Sequence, residues 1–138
     1  MRTLYVDTSC VVALEFGEPG APEVSRLLQS SDALVSSTLL EAEVGSACAR
    51  ERVAVPASRL ATLSWVLPPR RLSPELERVF AAGSLKGADA WHVACALFVD
   101  PSARDLVFVT LDDRQAAAAR AVGFTVLPAA PGRRGRRA

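Results

Sequence analysis

The chain has 138 residues, half of them hydrophobic and 22% charged, which excludes a disordered polymer and allows one domain with a sizeable core. No apolar run reaches the length of a membrane span, and the first residues lack the basic start and long apolar stretch of a signal peptide. The expectation is a soluble, cytoplasmic protein whose net charge of +1 is unevenly spread. The last seven residues, GRRGRRA, carry four arginines, and subtracting those from +1 leaves −3 for residues 1–131. Such a tail either touches RNA phosphates or is a frayed, solvated end.

In chain order, Leu4–Val6 reads as a short strand and Ser9–Phe16 as a helix, with GEPG as a turn. Ala21–Gln29 suggests a second helix, Ala33–Ser36 a strand, and Ser37–Arg52 a long helix capped by Ser36 or Ser37. Pro56 suits a first helical turn, so Ala57–Val66 is expected as another helix, broken by Pro68–Pro69. Ser73-Pro74-Glu75 starts a helix reaching about Ala82. Gly87–Val99 is a nearly all-apolar helix, expected to be deeply buried. Leu106–Val109 is a strand, Asp113–Ala121 a helix stopped by Gly123, and Phe124–Leu127 a last strand. Strands alternating with helices imply a parallel sheet covered on both faces, with sites at the strands' carboxyl ends.

Cys10, Cys48 and Cys95 are far apart, odd in number and without a CxxC pair, so they read as buried free thiols. The single histidine, His92, cannot build a transition-metal cluster, so any bound metal is a hard cation held by carboxylates.

Four acids stand where solubility does not explain them. Asp7, in LYVDTS, ends the first strand, and Asp112, in VFVTLDD, follows Leu106–Val109 in the same way. Each alone is equally a helix cap, and Asp7 is also a possible phosphoacceptor. In SSTLLEAEVGSACAR, Leu39, Leu40, Val44 and Ala47 form an apolar stripe that includes Glu43. Glu41 points to roughly the opposite side, since two residues advance a helix by about 200°. Asp89, in KGADAWHVACAL, shares a face with Leu85, Val93 and Ala96; it is either a cap near the helix start or a functional acid. No inward lysines or arginines match these acids. Four converging carboxylates would repel unless some stayed protonated, and a divalent cation such as Mg²⁺ removes that difficulty. The combination describes a metal-dependent phosphodiester hydrolase.

LYVDTS, SSTLLEAEV, LKGADAWHVACAL and VFVTLDDRQAAAARAVGFTVL together resemble the PIN-domain ribonucleases, and more closely the VapC-type toxins of type II toxin–antitoxin pairs. The resemblance extends to about Pro128, giving a domain over 1–128 and a basic, flexible tail over 129–138. It implies an α/β/α sandwich with a five-stranded, mostly parallel sheet and Mg²⁺- or Mn²⁺-dependent endonucleolytic cleavage of RNA, leaving 5′-phosphate and 3′-hydroxyl ends. Asp7, Glu43, Asp89 and Asp112 match the family's four acids as catalytic and metal-binding residues. Thr110 matches a supporting hydroxyl, and Thr8 and Ser9 flank the first acid. Glu41 competes with Glu43, and Asp113 with Asp112; the register of Ser37-Thr38-Leu39-Leu40 and the spacing from Thr110 favour Glu43 and Asp112. Arg50 and Arg114 are candidates for RNA phosphate contacts, and His92 for packing or hydrogen bonding. The resemblance further implies a homodimer and a cognate antitoxin laid over a groove near the site. Val11–Phe16 and Ala61–Leu67 suit such contacts, or are ordinary core faces.

Two other readings stay open. One is a PIN-like scaffold that binds RNA or a partner without cutting. The other is a receiver or phosphatase domain with an aspartyl-phosphate, which Ser9 two residues after Asp7 and the lone Lys86 disfavour.

Overall fold

The computed structural model describes residues 1–129, so the arginine-rich end lies outside the described residues. The elements follow one another as β1 (Thr3–Val6), α1 (Thr8–Phe16), α2 (Ala21–Gln29), β2 (Ala33–Ser37), α3 (Thr38–Glu51), α4 (Ala57–Leu60) and β3 (Ser64–Val66). Then come α5 (Ser73–Ala82), α6 (Gly87–Val99), β4 (Val107–Val109), α7 (Asp113–Ala121) and β5 (Thr125–Leu127). The five strands form one sheet in the order β3-β2-β1-β4-β5, and every pairing is parallel.

Alternation along the strands builds two cores. Leu4 and Val6 of β1 join Val109, Cys10, Val11, Leu40, Val44 and Cys48 on the face covered by α1, α2 and α3. Tyr5 and Phe108 point the other way, toward Val93, Ala94, Ala116 and Phe124 under α5, α6 and α7. The Tyr5 and Phe108 rings stack with centroids 5.1 Å apart. Full burial of side chains this size contributes about 1.5–3 kcal/mol each, so β1 and β4 form the centre of the fold energetically as well as topologically. All three cysteines are buried and free, as expected.

One expected element is different. The run Ala57–Val66 is not a single helix: α4 ends at Leu60, and Ser64–Val66 is strand β3, paired with Val35, Ser36 and Ser37 of β2. A short run with Trp65 and Val66 suits either state by pattern, and the free edge of β2 decides it. Other boundaries agree to within a residue or two. Gly17, in the GEPG turn, ends α1 with φ of 65°, a left-handed conformation glycine adopts without strain.

The chain order sets the position of the site. From β1 the chain passes through α1 on one face to β2; from β4 it passes through α7 on the opposite face to β5. The crevice between the carboxyl ends of β1 and β4 is therefore the switch point at which open parallel sheets bind ligands.

Candidate active site

Asp7 and Asp112 flank that crevice. Asp7 directly follows β1 and is the N-cap of α1, its Oδ2 accepting the Ser9 N–H at 3.0 Å. Asp112 is the N-cap of α7, its Oδ1 accepting the Gln115 N–H at 2.9 Å. Capping thus holds for both, and it fixes where each carboxylate sits without using all of its lone pairs. Asp7 is buried, and Asp112 is exposed at the mouth.

Asp89 is not a cap. Lys86 is the N-cap of α6, and Asp89 stands in the first turn, where a negative charge favours the helix dipole. Burial pushes its carboxyl above the usual range, and the charges of Asp112, Asp7 and Glu43 push it further, while His92 draws it down. Within the described residues the arginine salt bridges are Arg59–Glu15 and Arg70–Glu75, and neither involves the four.

Glu43 comes from α3 on the opposite face. Its Oε1 accepts the Thr8 hydroxyl at 2.6 Å and lies 3.0 Å from His92 Nε2. The hydrogen bond from His92 holds the Glu43 carboxyl below its usual range against partial burial, with Thr8 adding to it. Glu41 is exposed, so the helical-face argument separates the two glutamates correctly.

His92 is fully buried, with both ring nitrogens engaged: Nδ1 is 2.7 Å from the Tyr5 hydroxyl. Burial raises the Tyr5 phenol well above its usual range, with Cys95 and Asp7 adding to the effect, so the phenol keeps its proton. It donates that proton to Nδ1 while accepting the Ser37 N–H, which leaves Nε2–H to donate to Glu43. His92 is consequently a hydrogen-bonding residue with no lone pair left for a metal. Tyr5, 87 positions away in sequence, is its anchor.

A second network ties the crevice walls together. Thr110 Oγ1 contacts Asp7 Oδ2 at 3.2 Å and Gln115 Oε1 at 2.7 Å, accepts the Asp112 N–H at 3.1 Å, and lies 3.3 Å from Ser9 Oγ. Ser9 Oγ accepts the Leu111 N–H at 3.0 Å. Thr8, Ser9 and Thr110 thus all sit against the acids, as their positions beside the motifs imply. Gln115 was missed in the sequence. It is fully buried, and it could have been found by the inward-polar criterion that selects Glu43, since its helical neighbour Ala119 is also buried.

Arg50 and Arg114 are not brought into this arrangement. Arg50 donates to Ser46 and lies two turns beyond Glu43 on α3, roughly 10 Å along the axis. Arg114 is exposed in the first turn of α7, beside the mouth. Asp113 is the first residue of α7, after its cap Asp112, and makes no side-chain hydrogen bond to the network.

The donor set suits a hard divalent cation in chemistry: carboxylate oxygens from four segments and, among the described residues, no thiol, no free imidazole and no arginine or lysine paired with the four. Among the described residues, no three or more His, Cys, Asp or Glu side chains are gathered tightly enough to hold a metal unaided.

A family model described as PIN domain matches residues 4–121 of the chain. No curated protein matches it significantly.

Proposed function

The chain belongs to the PIN domain family, a nuclease-type fold, and on that premise we propose that it is a Mg²⁺-dependent endoribonuclease acting as the toxin of a toxin–antitoxin pair. One observation carries the reading: Asp7 and Glu43 meet at His92, Thr110 and Gln115 tie Asp7, Asp112 and the Asp89 segment together at the switch-point crevice, and among the described residues no arginine or lysine pairs with any of the four acids. Asp7, Glu43, Asp89 and Asp112 would hold the ion, with Mn²⁺ as a substitute. When bound, such an ion supplies Lewis-acid chemistry, activating water for attack on phosphorus and steadying the leaving oxygen.

The chain's own residues prepare that site. Asp7 and Asp112 are aimed by the helix starts they cap, and Glu43 by the Tyr5–His92 relay and Thr8. The single histidine is committed to that relay, which disfavours a Ser–His–Asp nucleophile. Arg114 at the mouth, and Arg50 further off, are the side chains proposed to meet RNA phosphates. The same proposal includes a domain over 1–128, a homodimer, a cognate antitoxin and a cytoplasmic setting. No described helix is long and apolar enough to cross a membrane.

The test is to incubate the purified full chain, free of antitoxin, with total RNA and to map the cleavage ends. Cleavage with Mg²⁺, its loss with EDTA and its loss in Asp7→Asn are expected. The open arrangement of the acids favours a second reading, a scaffold that binds without cutting. No cleavage of any RNA by the folded, Mg²⁺-loaded chain would select that reading.

A further inference from the structure

We propose that Gln115 is a positioning residue that locks the Asp89 and Asp112 segments together and frees an oxygen of Asp7 for a cation. The proposal rests on reading the four acids as a cation site.

Gln115 is a wholly buried amide on α7, and each of its polar groups goes to a different part of the acid cluster. Its side-chain N–H donates to the Asp89 carbonyl at 3.2 Å, joining α7 to the first turn of α6. Its Oε1 accepts from the Thr110 hydroxyl at 2.7 Å, and its backbone N–H donates to Asp112 at 2.9 Å. The amide orientation is set by these partners, because the reverse would place Oε1 against the Asp89 carbonyl.

Proton accounting gives the consequence for Asp7. Thr110 has one hydroxyl proton and three oxygens in reach, with Gln115 Oε1 at 2.7 Å much the nearest, ahead of Asp7 Oδ2 at 3.2 Å and Ser9 Oγ at 3.3 Å. The shortest contact takes the proton. Asp7 Oδ2 is then held by the Ser9 N–H and keeps a lone pair for the crevice. Without the Gln115 acceptor, the Thr110 proton turns to Asp7 and competes with a cation for the same oxygen. The Asp89 segment loses its tie to α7 at the same time.

The experiment is calorimetric titration of the full chain with Mn²⁺, run on wild type, Gln115→Met and Ala117→Gly. Methionine keeps the volume and the backbone N–H to Asp112 but removes both side-chain bonds. Its Mn²⁺ affinity is expected to fall about tenfold, the low end of what losing an outer-shell partner costs. Ala117 is exposed on the same helix and touches none of the network, so Ala117→Gly is expected to lower Tm with affinity unchanged. Wild-type affinity in Gln115→Met overturns the proposal. Absence of Mn²⁺ binding by wild type instead overturns the cation-site reading, and this inference with it. If Gln115→Met does not fold, Gln115→Glu decides the tie to α6: it keeps an acceptor for the Thr110 proton and loses only the donor to the Asp89 carbonyl, so weaker binding despite the added charge supports that tie and equal or tighter binding overturns it.

Discussion

Asp100 and Asp89, at opposite ends of the sheet, are treated in opposite ways. At the amino end, Asp32 before β2 accepts the Arg2 N–H, and Asp100 before β4 accepts the N–H groups of Asp105 and Leu106 and the Ser102 hydroxyl. Burial pushes the Asp100 carboxyl up, and the donors of Leu106, Asp105, Ser102 and Ala103 more than reverse it, so the net shift is downward. At the carboxyl end, Asp89 is raised by burial and by three other carboxylates. Acids at one end close a loop and stabilise the fold. At the other, Asp89 is held in place at a cost, as the proposed cation site requires, while Glu43 is held low by His92.

The largest effect expected from this contrast is on activity. Asp7→Asn keeps an oxygen for the Ser9 N–H but removes the charge, and should lower Mg²⁺-dependent RNA cleavage by about 100-fold or more, beyond the usual cost of losing an outer-shell partner. Asp32→Asn, at the opposite end, should leave the rate unchanged. A gel assay with matched enzyme concentrations checks both, and equal losses would erase the functional distinction between the two ends.

Stability should move in opposite directions at the two ends. In metal-free protein at neutral pH, Asp89→Asn removes repulsion that solvent partly screens and gives up a favourable first-turn charge, so it should raise stability by no more than about 0.5 kcal/mol. Asp100→Asn weakens the carboxylate's bonds to two backbone N–H groups and should lower stability by about 1 kcal/mol. Urea unfolding with EDTA present measures both.

The pH dependence follows from the signs. Asp100 has a lowered folded-state pKa, so its contribution is present above the ordinary Asp range, near pH ~4, and is lost as pH falls through the folded value. Asp89 has a raised one: its cost is absent below that range, appears as pH rises toward the folded value, and is complete above it. Both variants should therefore converge on wild type in acid, one from above and one from below.

Much of the carboxyl end was legible because its signal is local. LYVDTS places an acid directly after apolar strand residues, and a helix period alone separates Glu43 from Glu41. Strand β3 was not legible, because Ser64–Val66 becomes a strand only through the edge of β2, a tertiary partner absent from the run itself. The Tyr5–His92 relay was equally hidden, since it spans 87 positions and involves groups that are unremarkable separately. Gln115 was not legible for a different reason: it is neutral, and an inward amide in an alanine-rich helix carries no charge signal. Arg50 and Arg114 were chosen for charge alone, and neither makes a side-chain contact with the four acids.

The smallest expected effect is the sharpest control on the α3 register. Glu41 and Glu43 share a helix, a charge and a distance of two residues, but Glu41 is exposed while Glu43 meets Thr8 and His92. Glu41→Gln should change stability by no more than about 0.5 kcal/mol and leave cleavage unaltered, as for a surface change away from any network. Glu43→Gln keeps the size but loses the charge that His92 and Thr8 donate to, and should lower both Mn²⁺ affinity and cleavage. Loss of cleavage in Glu41→Gln with Glu43→Gln active would mean that α3 presents a different face to the crevice. The Tyr5–His92 relay would then serve the core alone, and the charge imbalance at the carboxyl end would have to be recounted with Glu41 in it.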